Sequence, residues 1–342
     1  MSASPDTRST PAKPPPLVLG LDGGGTKVEC LIATADGEVL GYGRGGPCNA
    51  NFVSAEVARS SIDQAIEEAL AACAVRPAEV AVACSSVTHS AAVVQEVMAE
   101  RLAVGRHLAV AEDEVVRAGS QSNPPAVVII AGTGSIALAM DEAGRRHSVG
   151  GWGSLLGDEG SAWDIAMRGI VAALRAWDGR GEPTALSEAV LRHFRLDGIP
   201  QLGALFYGRR LSRHEIAAFA PEVTAAARAG DPVARGILRA AGRELGLAAA
   251  VLIRRLGWED RAPEVIVGGG VADAGGLLLR AVRSQVRRAA PNARVRSRRF
   301  PAVVGATLVA LEALGRPPDD ALIARLKRQY ARARRKYAEE KS

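Results

Sequence analysis

Residues 19–27, "LGLDGGGTK", decide how the chain is read. Gly20 and Gly25 stand at the spacing of a Walker A loop, yet Thr26 precedes Lys27, where that loop needs Lys before Ser or Thr. A Walker A loop or a dinucleotide turn also runs into a helix whose N-terminus holds the phosphate. Here the glycines lead into "KVECLIATADGEVLGYGRG", an apolar, β-branched alternation broken at Asp36-Gly37, a hairpin turn signal. The stretch predicts strand, glycine turn, strand, turn, strand. Glycines at the first turn let backbone N–H groups approach an anion, with the Thr26 hydroxyl and Lys27 ammonium beside them. Asp22, ending the first strand, is placed to hold a hydrated Mg2+. The same residues also fit a plain glycine-rich hairpin.

The pattern repeats further along. Ser54 caps a helical stretch, "EVAVACS" reads as a strand, "AAVVQEVMAERLA" as a helix and "HLAVAED" as a strand ending in acids. "PPAVVIIAGTGSIALAMDEAGRRHSVGG" then restarts with strand, glycine turn and hairpin, about a hundred residues after the first. This second turn offers the Thr133 and Ser135 hydroxyls and the amides of Gly132 and Gly134. Helices dominate from Ser161 to Leu256. "IVGGGV", residues 266–271, is a third apolar strand running into glycines, and "ARVRSRRF" and "AVVGATLVALEALG" add a strand and a helix. The expected organisation is a disordered leader over 1–16, a first α/β unit over 17–125, and a related second unit over 126–316. A helical insertion at about 161–256 interrupts the second, and a basic helical tail covers 317–342. Three strand-to-glycine turns in one doubled α/β chain suit convergence on a single nucleotide.

At 342 residues the chain is long enough for two cores, and 48% hydrophobic with 23% charged residues is ordinary for a soluble globular protein. Aromatics are only 4%, so Ala, Val, Leu and Ile must fill the interior. The net charge of +6 is local: residues 319–342 carry eight Lys or Arg against four Asp or Glu, leaving 35 basic and 33 acidic groups elsewhere. A body so nearly neutral has no basic stripe with interleaved aromatics, which excludes a general nucleic-acid binder. The tail, "LIARLKRQYARARRKYAEEK", reads as a solvated, weakly amphipathic helix. Cys30, Cys48, Cys73 and Cys84 show no metal or disulfide spacing, and the five histidines are scattered singly. The Pro- and Ser-rich leader lacks an apolar signal segment, and no apolar run reaches membrane-spanning length. A reduced, cytoplasmic protein is expected.

"GGWGSLLGDEGSAWDIA", residues 150–166, sets one aromatic plane, Trp152, between Gly151 and Gly153, and puts Asp158 and Glu159 on a corner before a helix. Carboxylates and exposed amides suit a polyhydroxylated ring, whose hydroxyls both donate and accept. A Trp plugging the core beside an acidic N-cap fits equally well. "GGPCNANF", residues 45–52, offers Asn49 and Asn51 on a loop after the first hairpin, or plain turn chemistry.

With these motifs the chain resembles the sugar kinase, actin and heat-shock-chaperone ATPase superfamily. "LDGGGTK" corresponds to phosphate 1, "AGTGS" to phosphate 2 and "VGGG" to the adenosine motif. Within it, "GGWGSLLGDEGSAWDIA" is similar to the N-acetylglucosamine kinase branch, grouped with the BadF/BadG-type ATPases. The resemblance covers roughly residues 17–316. It implies duplicated ribonuclease-H-like domains flanking a cleft, ATP and Mg2+ as cofactors, an amino sugar as acceptor at its 6-hydroxyl, and a homodimer.

By the same resemblance, Gly24, Gly25, Thr26, Thr133, Gly134, Gly268, Gly269 and Gly270 hold the nucleotide, with Ala217 of the insert nearby. Asp22 lies on the metal side, and Lys27 has a minor role. Asn49, Gly151, Trp152, Gly153 and Asp158 hold the sugar, and Glu159 is left as a helix cap. Asp113 of "HLAVAEDEVVRAG" takes the position of the base, although its neighbours Glu112 and Glu114 depart from the family pattern and a like-charged neighbour raises a carboxylate's pKa. An acidic helix cap accounts for the same three residues. The runner-up function is an activator ATPase of the BadF/BadG kind. That kind carries a cysteine-bound iron–sulfur cluster at a dimer interface, which the wide cysteine spacing disfavours.

Overall fold

The computed structural model describes residues 15–341 except 75–78, 88, 123–124 and 209–210, so most of the leader lies outside the described residues. Strand β1 (Leu17–Gly23) pairs antiparallel with β2 (Val28–Thr34), which pairs with β3 (Val39–Gly45). Gly37 turns the second hairpin with φ of 78°. Helix α1 (Ala55–Ala71) starts where the Ser54 hydroxyl accepts from Val57 N–H. Strand β4 (Glu79–Ser86), helix α2 (Ala91–Arg101) and strand β5 (Ala103–Ala109) complete a sheet of order β3-β2-β1-β4-β5. The strand expected to end in acids stops at Ala109. Glu112, Asp113 and Glu114 instead form the first turn of α3 (Glu112–Ser120), where the helix dipole favours negative charge.

The second half repeats this order. Strands β6 (Ala126–Ala131), β7 (Ser135–Met140) and β8 (Arg146–Gly150) form the antiparallel trio. Then come α4 (Ala162–Trp177), α5 (Leu186–Phe194), α6 (Gln201–Gly208), α7 (Arg213–Ala217), α8 (Ala220–Arg228) and α9 (Pro232–Arg255). Strand β9 (Glu264–Gly268), a 3-10 turn over Gly270–Ala274, α10 (Gly276–Ala289) and β10 (Arg294–Ser297) follow, giving the order β10-β9-β6-β7-β8. Each sheet is an antiparallel trio extended by two parallel strands in the same sequence order. This is the duplicated ribonuclease-H-like fold that the repeat predicts.

The chain's last helices return to the first sheet. Helix α11 (Ala302–Ala313) and helix α12 (Asp320–Glu340) share one apolar cluster with sheet one. Val303, Val304 and Leu308 of α11, and Ile323, Leu326 and Tyr330 of α12, pack with Val18, Leu31, Val82 and Cys84. Residues 302–316, grouped by sequence with the second unit, thus complete the core of the first. The approach is close: a Cβ on Gly20 would lie 2.3 Å from Thr307 Oγ1, and one on Gly305 would lie 1.9 Å from the Val115 carbonyl oxygen. Helix α3 fills the space between α11 and sheet two, with Val116 among Val128, Ile130 and Ile266. The basic tail is therefore not a fully solvated helix. It buries a stripe at i, i+3 and i+7, each such side chain contributing about 1.5–3 kcal/mol when fully buried. Among the described residues no helix is long and apolar enough to cross a membrane.

Candidate active site

The glycine turn between β1 and β2 closes on itself, Gly24 N–H donating to the Lys27 carbonyl at 3.0 Å. No helix follows it, as its sequence requires. Opposite stands the turn between β6 and β7, where Gly132 N–H donates to the Gly134 carbonyl at 2.9 Å. The N-terminus of α4 braces this second turn, Ala162 N–H donating to the Gly132 carbonyl at 2.8 Å. Thr26 Oγ1 and Thr133 Oγ1 lie 2.6 Å apart, joining the two turns across the halves. A Cβ on Gly24 or Gly132 would meet nothing within 4 Å, so both backbones face open space. Gly268 ends β9, and Gly269 has φ of 79° with a Cβ position only 2.2 Å from the Ala131 carbonyl oxygen. Only glycine fits there, and it brings the third glycine run, through Gly270, against the base of the second turn. Ala217 ends α7 as a buried residue and offers only backbone and a methyl group.

Asp22 is half-buried at the end of β1, in register with Glu29 on β2 and Ser86 on β4. Register partners project from the same face, so all three side chains share a side of sheet one. Burial raises the Asp22 carboxyl well above the usual range, and the Glu112 and Glu29 carboxylates raise it further against Lys27 and Arg298. Ser86 Oγ is buried with no hydrogen-bond partner. These hard oxygen donors suit Mg2+, which takes one or two carboxylates and completes its shell with phosphate and water.

Of the three acids at the start of α3, Glu112 is the one whose charge raises the Asp22 carboxyl. On α3, Glu112, Val115 and Gly119 share the stripe that faces α11 and sheet one, Gly119 lying against Gly305. Asp113 is one residue, about 100°, around the helix. With Arg117 it lines a small cavity against Ala126, Val128 and Leu138 of sheet two. There its Oδ1 lies 3.4 Å from Arg146 Nε, and Arg146 also pairs with Glu114. Burial and the Asp113 carboxylate push the Glu112 carboxyl up to about 7. Glu112 and Asp113 diverge because the acids lie on a helix, where adjacent residues point about 100° apart.

On the other side, Gly151 and Gly153 have φ of 78° and 81°, and Trp152 is 73% exposed, so it does not plug the core. Asp158 has φ of 64° and is buried. Its Oδ1 accepts from Ser135 N–H at 3.1 Å, and Oδ2 accepts from the Arg213 guanidinium. Both oxygens thus bind protein, tying the second glycine turn to α7. Arg213 also lies 4.2 Å from the Phe52 ring centroid, and its Nε is buried without a partner. Asn49 Oδ1 accepts from Asn51 N–H at 3.0 Å, so turn chemistry occupies that atom. Ser161, not Glu159, caps α4, its hydroxyl accepting from Asp164 N–H. Arg213 carried no signal in the sequence, being one arginine before a short helix. Glu112 carried one, the i, i+3, i+7 spacing to Val115 and Gly119.

The chain resembles several known sugar kinases. The chain is 29% identical over 298 residues to an N-acetylmuramic acid/N-acetylglucosamine kinase of Clostridium acetobutylicum, covering 86% of this chain and 97% of that protein. It is 27% identical over 313 residues to an N-acetyl-D-glucosamine kinase of Dictyostelium discoideum, covering 86% and 98%. A crystal structure of a candidate N-acetylglucosamine kinase from Chromobacterium violaceum superposes with a TM-score of 0.63 at 25% identity, covering 86% and 99%. A ROK family glucokinase from Streptomyces griseus, solved with glucose and AMPPNP, shares the fold with a TM-score of 0.56 at 19% identity, covering 86% and 99%. The family model matches residues 19–310, and the chain belongs to the BadF/BadG/BcrA/BcrD ATPase family.

Proposed function

We propose that this protein is an ATP-dependent sugar kinase that phosphorylates the 6-hydroxyl of N-acetylglucosamine or a related amino sugar such as glucosamine. The observation that carries the proposal is the pair of glycine turns joined at Thr26 and Thr133, with Asp22 on the strand that leads into the first. Phosphoryl transfer asks for alignment and charge stabilisation more than covalent chemistry. Backbone amides of Gly25 and Gly134, with the Thr26 and Thr133 hydroxyls, grip the phosphates, and Gly24 leaves room for them. Gly268, Gly269 and Gly270 flank the adenosine, and Ala217 borders it. Asp22 would hold Mg2+, with Ser86 as a further oxygen, and the ion would neutralise the phosphate oxygens. A carboxylate at the start of α3 accepts the sugar hydroxyl's proton. The sequence assigns that role to Asp113, and the stripe geometry of α3 favours Glu112. Asn49, Gly151, Trp152, Gly153 and the Asp158 corner form the sugar side, with Asp158 acting through Ser135 and Arg213.

The relatives' names point to the same acceptor class. An activator reading needs cysteines at a subunit surface, and Cys30, Cys48, Cys73 and Cys84 are buried in the cores of the first half. A cytoplasmic homodimer is part of the proposal, and light scattering of the purified protein tests the dimer. The deciding experiment is ADP release with Mg-ATP across glucosamine, N-acetylglucosamine, N-acetylmannosamine, N-acetylmuramic acid and glucose. Amino-sugar-dependent release is expected. Sugar-independent hydrolysis at the same rate overturns the reading.

A further inference from the structure

Glu29 is only 2% exposed, yet it stands directly opposite Asp22 in the β1–β2 register. Opposed like charges repel, and a buried carboxylate is costly unless it is paired and hydrogen-bonded. Three groups meet that need. The Lys27 ammonium forms a close ion pair with Glu29 Oε2, Tyr42 OH on β3 donates to Oε1 at 2.5 Å, and Tyr330 OH on α12 lies 3.4 Å from the same oxygen. Burial pushes the carboxyl up, and Lys27, Tyr42 and the charge of Arg334 on α12 bring it below its ordinary range.

Tyr330 comes from 301 residues further along the chain, so the tail helix reaches the interior of the first hairpin. The rings of Tyr330 and Tyr337, two helical turns apart, both meet the Tyr42 ring edge-on, with centroids 5.8 Å and 5.3 Å away. Tyr337 OH donates to Glu68 Oε2 of α1 at 2.7 Å, and Lys341 pairs with Glu68 Oε1 at 2.9 Å. Leu322, at the other end of α12, covers Gly37 of the β2–β3 turn. The helix thus spans the β2–β3 hairpin from Gly37 to the loop end of β3. Lys27, at the far end of the relay, is part of the glycine turn: its carbonyl closes that turn and its neighbour Thr26 meets Thr133.

We propose that α12 is a positioning element for the nucleotide site, in which Tyr330 and Tyr42 fix Glu29, and Glu29 fixes Lys27 and with it the glycine turn that grips the phosphates. The tail is then a working part of the catalytic unit, and its effect falls on the nucleotide alone. This inference rests on the kinase reading only in locating the phosphates at that turn.

The test uses the full chain and the variants Tyr330→Phe, Tyr42→Phe, Glu29→Gln, Lys27→Met and Lys27→Arg. It reads the Kd for Mg-ATP by equilibrium titration, and KM for ATP and for the amino sugar in the ADP-release assay. Tyr330→Phe keeps the ring and removes one hydroxyl, so the fold is retained. It is expected to weaken Mg-ATP binding about threefold to tenfold, the scale of one ordinary intramolecular hydrogen bond. Sugar KM is expected to stay within about twofold, below the effect of one such bond. Tyr42→Phe and Glu29→Gln shift the same way, and Lys27→Arg recovers part of what Lys27→Met loses. Wild-type affinity for Mg-ATP in both Tyr330→Phe and Glu29→Gln overturns the inference, as does an equal rise in both KM values. Failure of the wild type to release ADP with any amino sugar overturns the kinase reading instead and leaves the Mg-ATP titration to decide this one.

Discussion

Two adjacent carboxylates at the start of α3 have different surroundings, and the difference predicts which one works. Glu112 raises the Asp22 carboxyl and lies on the stripe toward sheet one, whereas Asp113 Oδ1 lies 3.4 Å from Arg146. Glu112→Gln is expected to lower kcat by about 10²–10⁴-fold, the usual contribution of a general base. Asp113→Asn should retain most turnover and hold its stability, since burial raises that carboxyl and disfavours its charge. The reverse outcome in a steady-state assay returns the role to Asp113. The titration of Glu112 has a sign that can be checked without substrate. Its carboxyl is at about 7 in the folded chain against an ordinary 4.5, so the folded state binds the extra proton between these values. The Glu112 contribution to stability therefore falls as pH rises from about 4.5 to about 7. The raised Asp22 and Asp113 carboxyls act in the same direction, and the lowered His107 and His193 oppose them. Metal-free melting curves in chelator should show this fall as the difference between wild type and Glu112→Gln. A pH dependence unchanged in Glu112→Gln would contradict the placement of Glu112.

At the scale of elements, the close packing of α11 separates structural glycines from functional ones. Gly305→Ala forces a Cβ to 1.9 Å from the Val115 carbonyl, which backbone can relieve only by moving α3 or α11. A loss of about 3 kcal/mol is expected in denaturant unfolding. Gly24→Ala meets nothing within 4 Å and should unfold within about 0.5 kcal/mol of wild type. Its methyl group instead obstructs the phosphates, so Mg-ATP affinity drops while stability holds. Equal destabilisation by both substitutions would break the distinction. The strands and their glycine turns were legible in the sequence because apolar runs and hairpin signals are local. The return of α11 and α12 to sheet one was not, because it depends on which surface each apolar stripe meets. "AVVGATLVALEALG" is apolar on nearly every face and so names no partner. "HLAVAED" misled for a related reason: the strand and the acid-rich first turn of the helix run on with no Gly or Pro between them. The GWG and GDEG corner was found, yet the commitment of both Asp158 oxygens was invisible because Arg213 lies 55 positions away.

Across the whole molecule, two of the contacts between the halves lie where a nucleotide and a sugar are proposed to enter. One is the pair of hydroxyls of Thr26 and Thr133, 2.6 Å apart where the phosphates are proposed to enter. The other is Arg213, which spans from Asp158 to the Phe52 ring on the Asn49 loop. Arg213→Ala leaves Asp158 buried without its cation, so a loss of about 3–5 kcal/mol is expected, with a raised sugar KM. The threonine contact allows a sharper test of the cleft. Hydroxyl oxygens this close bring the side chains within reach of a disulfide, which needs Cβ atoms about 3.5–4.5 Å apart. The four native cysteines are buried and free, so the double variant Thr26→Cys/Thr133→Cys should oxidise selectively at the cleft. Once oxidised, it should lose Mg-ATP binding and regain it with reductant, because the bond closes the gap that the phosphates occupy. Undiminished binding in protein shown by mass spectrometry to carry the crosslink would mean that the phosphates do not pass between the two turns.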